Sequence, residues 1–142
     1  MIFVFQISLW ILLPKVVRLI DFDLACNLIQ DGRFNAPVSD CSPPEKLVTS
    51  TYDVWGLGVM MVRLCCAKVT QNALQQLYSK LQQDKKDGDC LREFHNNINF
   101  DRTRTFFDPD AMKKLIQGCV NLVDRRFDLD RLQKEVSEWP QH

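Results

Sequence analysis

The stretch from Thr51 to Cys66, TYDVWGLGVMMVRLCC, constrains the fold more than any other part of the chain. It is apolar on nearly every side, opens with a Tyr-Asp pair just after a Ser/Thr cluster, and reads as a helix. A helix apolar all round is either wrapped by other elements or lies in lipid. Val54 to Val62 is too short to cross a bilayer before Arg63 interrupts it. The stretch is therefore expected to be the buried axis of a soluble helical core.

The 142 residues suffice for one domain with a core of its own, and 46% hydrophobic with 25% charged residues is an ordinary globular balance. Formal net charge is zero, and no basic run exceeds Lys113-Lys114 or Arg125-Arg126. Nothing electrostatic points to nucleic acid or an anionic membrane as partner. The six cysteines (Cys26, Cys41, Cys65, Cys66, Cys90, Cys119) lie far apart except for the adjacent Cys65 and Cys66, and show no two-residue zinc spacing. They read as free core thiols, which makes a reducing, cytoplasmic compartment the default. The amino-terminal run MIFVFQISLWILLPK has the apolar centre of a signal peptide. It lacks a preceding positive charge, and the next small-residue site, near Ala25, lies beyond several charges. Secretion is the alternative if that run is a signal peptide.

Ile11 to Ile20, ILLPKVVRLI, reads as two short strands broken at Pro14-Lys15, a small hairpin, followed by a strand into Asp21. From Ala25 to Thr51 periodicity is lost and loop signals accumulate: Asp31-Gly32, Ala36-Pro37 and Ser42-Pro43-Pro44. A segment this long between regular elements is usually functional or disordered. Beyond the central helix, Leu74, Leu77, Tyr78 and Leu81 recur at helical spacing over Asn72 to Gln83. Asp84 to Asp89 is a solvated turn, and Cys90 to Phe94 adds one helical turn. Pro109 to Val123 is the clearest amphipathic helix, with Asp108 placed to cap it and Met112, Leu115, Ile116, Cys119, Val120 and Val123 on its apolar stripe. A last helix, Leu129 to Trp139, aligns Leu129, Leu132 and Val136 on one side.

Several short motifs occur in a telling order. Asp21-Phe22-Asp23 follows the strand Leu19-Ile20, Pro43-Pro44-Glu45 closes the loop, and Tyr52 to Gly58 (YDVWGLG) opens the central helix. This series resembles the second half of a protein kinase of the serine/threonine type, where Asp-Phe-Gly opens the activation segment, Ala-Pro-Glu closes it and Asp-x-Trp-x-x-Gly begins the buried helix. The similarity covers about Ile11 to Trp139. It implies a mainly α chain: a partial kinase domain over residues 11–142, the carboxy-terminal lobe with a short hairpin before the activation segment, and a poorly matched apolar segment over residues 1–10. Asn27 to Gly32 followed by Ser-Pro-Pro-Glu also resembles the divergent rhoptry-type kinases and pseudokinases of apicomplexan parasites.

The resemblance assigns roles residue by residue. Asp21 takes the place of the family's Mg ligand, a carboxylate that helps neutralise ATP phosphates. Asp23 stands where the family has glycine, adding a second negative charge and a side chain where backbone freedom is usual. Glu45 and Arg126 correspond to the family's buried ion pair, although the segment between Asp124 and Arg126 is about two residues short. Trp55 and Gly58 belong to the same helix motif. Asp53 would hold the catalytic loop in a full kinase; here its remaining role is capping or a polar contact at the helix start. By position in the segment, Ser39, Ser42, Thr49, Ser50 and Thr51 are candidate phosphorylation sites.

What the motifs omit is equally informative. Phosphoryl transfer needs a Gly-rich loop, a strand lysine and a His-Arg-Asp catalytic loop, all of which precede Asp21 in the family. The 20 residues before Asp21 contain no His-Arg-Asp and no Gly-rich run, and the family pattern puts Trp10 at the metal-binding asparagine and Phe5 at the base. The chain alone is thus expected to be catalytically inactive, to hold no cofactor, and to act as a pseudokinase-type module that binds a protein partner or competes with a full-length kinase. Two alternatives accompany this: a fragment of a larger active kinase, in which Mg and ATP would be bound, or a small helical interaction protein.

Overall fold

The computed structural model describes residues 42–45, 47–82, 88–103 and 108–139. The expected hairpin, the strand into Asp21, the Asp-Phe-Asp motif, residues 1–10, Cys26, Cys41 and Ser39 lie outside these residues. The described part is mainly α: helices α1 (Tyr52–Cys65), α2 (Lys68–Gln82), α3 (Gly88–Asn96), α4 (Pro109–Cys119) and α5 (Leu129–Ser137) follow one another in chain order. Among the described residues no helix is long and apolar enough to cross a membrane.

Helix α1 is the axis, as its composition predicts, but it is buried on one side rather than all round. Tyr52, Val54, Trp55, Gly58, Val59 and Val62 are buried, whereas Leu64 is 46% exposed beside exposed Arg63. Its principal neighbour is α4. Val54, Leu115 and Cys119 form one small core, and Trp55, Val59, Val62, Ile116 and Val120 join the larger core with Leu74, Leu77, Leu91 and Phe94 of α2 and α3.

Two glycines let these elements approach closely. A Cβ at Gly58 would lie 2.7 Å from both Cys119 Cβ and Val120 Cγ2, so α1 crosses the end of α4 there with no room for a side chain. A Cβ at Gly118 would lie 2.2 Å from the Phe127 ring, which folds back over the end of α4. Sterics therefore dictate glycine at these two positions.

Helix boundaries follow local hydrogen bonding. Asp108 caps α4 by accepting from Asp110 N at 3.2 Å, with Pro109 in the first turn, as the spacing predicts. The helix stops at Cys119 rather than Val123. Gly118 O accepts from Phe127 N at 2.9 Å, and Asn121 Oδ1 takes Leu122 N at 2.9 Å, so residues 120–127 form a turn. Helix α2 begins four residues before the expected Asn72. Buried Thr70 continues the stripe of Leu74 and Leu77 one turn earlier, and its Oγ1 accepts from Asn99 N at 2.8 Å. A bridge between Cys66 and Phe100 reinforces this corner, with Ala67 N donating to Asn99 O and Asp101 N to Cys65 O. Helix α3 is longer than the single expected turn, nine residues in all, because Leu91 and Phe94 both reach the core.

Helix α5 corrects the expected apolar stripe. Leu129 and Val136 are exposed, Leu132 is partly buried against Leu115 and Cys119, and the buried residue is Glu135. Its carboxylate is held by Lys114 Nζ of α4 at 3.1 Å and by Arg131 Nη2 at 2.7 Å. Partners from two helices permit the burial of a charge that composition alone would place outside.

The two glycines of α1 give a paired test. Gly58→Ala is expected to destabilise by about 1–3 kcal/mol through overpacking against α4. Gly56→Ala, where nothing lies within 4 Å of the added Cβ, is expected to stabilise by about 0.5–1 kcal/mol through helix propensity. Urea denaturation of both variants measures the difference.

Candidate functional site

Glu45 precedes the last turn before α1, and Arg126 closes the turn after α4; 81 positions separate them in the chain. The structure brings them together. Arg126 Nη1 donates to Glu45 Oε1 at 2.5 Å and Nη2 donates to Oε2 at 2.9 Å, a two-pronged pair. The remaining donors are also engaged: Nη1 reaches Thr51 O at 3.1 Å, while Nε and Nη2 reach Asn121 O at 3.1 and 2.9 Å. All five N–H groups of the guanidinium thus have acceptors. The Arg126 side chain is fully buried, with the Glu45 side chain 16% exposed.

The guanidinium carbon lies 5.4 Å from the centre of the Trp55 ring, within cation–π range. Trp55 is buried, and its Nε1 has no hydrogen-bond partner among the described residues. Packing and the face of the ring therefore hold this indole. Tyr52, one helical turn earlier, hydrogen-bonds the Ser42 side chain, and burial pushes its phenol above the ordinary tyrosine range. The residues before α1, the start of α1 and the turn after α4 are therefore joined at one buried cation.

The other expected site residues take different positions. Gly58 lies on α1 at the α4 crossing. Asp53 is half-buried in the first turn of α1, where its charge suits the positive end of the helix; Thr51 occupies the cap position without a side-chain cap bond. Asp21 lies outside the described residues. Of the candidate phosphorylation sites, Ser42 is buried, Thr49 and Thr51 share a hydroxyl contact at 3.4 Å, and Ser50 is exposed.

Backbone carbonyls carry much of the site. Those of Thr51 and Asn121 accept three of the five guanidinium bonds, and a carbonyl has no residue signature. Asn121 alone leaves a trace in the sequence, as the asparagine expected where a helix breaks into a turn.

The arrangement is structural in its chemistry. Its carboxylate and guanidinium are spent on each other, and Cys119 nearby is unreactive, with burial pushing its thiol up to about 12. Burial pushes Cys66 to about 12 as well, and Cys66 and Cys119 are free thiols. Among the described residues no three His, Cys, Asp or Glu side chains come together as a metal site. Comparison with known proteins returns no matching family model, no similar curated protein and no similar solved structure.

Two measurements follow from this geometry. Arg126→Ala leaves the Glu45 carboxylate and two carbonyls without their donors, and is expected to cost about 3–5 kcal/mol in urea denaturation. Arg126→Lys is expected to recover little of that, because an ammonium cannot supply five forked donors. An unchanged denaturation midpoint in Arg126→Ala would mean that the pair adds nothing to stability.

His95 gives the second. Its Nε2 lies 2.7 Å from Val120 O, tying α3 to the end of α4, and burial lowers its pKa below the ordinary 6.5. The unfolded chain therefore takes up the proton first, so stability should be flat above about pH 7.5 and fall as pH drops through the unfolded value of about 6.5. The urea midpoint is expected to decrease between about pH 7.5 and pH 5.5, and His95→Gln should remove most of that slope.

Proposed function

We propose that this chain is a protein-kinase-like large-lobe module that binds a protein partner and does not transfer phosphate by itself. The observation that carries this reading is the pairing of Glu45 with Arg126 across Trp55 of α1. The kinase resemblance implies that contact between residues 81 positions apart, and chance similarity of short motifs gives no reason for it. The order of Pro-Pro-Glu, the α1 motif and a late arginine adds support, as does the use of α1 as the axis of a mainly helical fold.

The reading as a binding module rests on missing chemistry. These 142 residues carry no Gly-rich loop, strand lysine or His-Arg-Asp, so by themselves they do not supply a complete set of groups to neutralise phosphates or activate a hydroxyl. The residues of the clasp are committed to one another and leave no group free to act on a substrate.

A thermal-shift titration with Mg-ATP tests this directly. The expected result is an unchanged melting temperature with no transfer of labelled phosphate to protein. A saturable rise in melting temperature would instead favour the alternative of an active kinase whose ATP and Mg sites this chain helps to form.

A further inference from the structure

The face where α3 meets the turn after α4 holds an open groove of about 290 Å³, away from the Glu45–Arg126 clasp. Arg92, His95 and Asn96 line it from α3, Gln117 from α4, and Asn121 and Arg125 from the turn. Leu91 and Gly88 complete the lining, so none of the described residues that line it is a carboxylate. Hydrogen-bond donors therefore meet there, and among the described residues the carboxylate bonded to this lining is that of Asp89, on Arg92.

Part of this wall is fixed by bonds to backbone. His95 Nε2 is on Val120 O, Asn121 Nδ2 donates to Gln117 O at 3.3 Å, and Asn121 Oδ1 takes Leu122 N. Other donors have no such partner. Arg125 Nη1 reaches across to within 3.5 Å of the Cβ position of Gly88, yet its guanidinium makes no hydrogen bond or ion pair among the described residues. The side-chain amides of Asn96 and Gln117 make none either. Arg92, by contrast, is paired with Asp89 on its own helix.

We propose that this groove binds a phosphate group, free or as a monoester, with Arg125 as its main ligand and Asn96 and Gln117 as supporting donors. The charge favours an anion: a guanidinium with no acceptor lies beside two free amides. The number of donors favours phosphate over a carboxylate. A planar carboxylate is satisfied by a single guanidinium fork, whereas the three side chains that line the groove from α3, α4 and the turn offer more donors than its two oxygens need and can be shared among the oxygens of a phosphate. The open mouth would admit a phosphate carried on a larger molecule. This inference does not depend on the kinase-like reading.

The test is a two-dimensional NMR titration of the whole chain with inorganic phosphate and, separately, with phosphoserine, against acetate and sodium chloride at matched ionic strength. Saturable shifts are expected at the Asn96 and Gln117 side-chain amides and at Arg125 Nε, with acetate binding more weakly. Arg125→Gln, an exposed substitution whose melting temperature is checked first, should weaken phosphate binding about tenfold. Absence of saturable shifts, equal shifts with chloride, equal affinity for acetate, or an unchanged affinity in Arg125→Gln would each overturn the proposal. Inorganic phosphate binding without phosphoserine binding would confine the site to the free ion and retain the assignment of Arg125.

Discussion

A guanidinium removed from water dominates the energetics of this fold. Arg126 has no exposed side-chain surface, and a cation placed there without acceptors would cost more than a small domain can spare. Its five donors therefore dictate what surrounds them: a carboxylate from before α1, a carbonyl from the cap of α1, and a carbonyl from the turn that ends α4. The two tight glycine contacts belong to the same requirement. Gly58 lets α1 press onto Cys119 and Val120, and Gly118 lets Phe127 fold back, and both approaches hold the turn that delivers Arg126 to Glu45. The turn is short, with Arg125 N and Arg126 N both donating to Leu122 O, yet it completes the pair.

How much of this was legible in the sequence depends on what each element relies on. Helices α1 and α4 could be read because their apolar spacing and, for α4, its cap and proline are local properties. The start of α2 could not, because Thr70 is a polar member of a buried stripe and its hydrogen bond is made to Asn99, far along the chain. The apolar pattern of helix α5 points to the wrong face. Leu129 and Val136 look like a core stripe, but the packing turns Glu135 inward, where Lys114 and Arg131 neutralise it. Periodicity registers which residues are apolar and is blind to a partner on another helix.

The candidate site shows the same division. Glu45 and Arg126 could be named from a family resemblance and are in contact, while the carbonyls that complete the guanidinium's shell were invisible because any residue supplies one. The polar groove beside α3 was missed altogether. Arg92, Asn96, Gln117 and Arg125 are scattered surface residues in the sequence, and only the meeting of α3 with the turn makes them neighbours. The functional reading stands on the motif order and on this one long-range pair.

That pair also bears on how the chain acquires its fold during synthesis. Glu45 is made 81 residues before the arginine that satisfies it, an interval of roughly 4–16 s at typical elongation rates of about 5–20 residues per second. Throughout that time α1 and the residues before it exist without the cation that joins them, while α2 and α3 can already pack on α1 through contacts closer in sequence. Closure of the clasp cannot precede the synthesis of Arg126, and so follows any contacts made earlier among α1, α2 and α3.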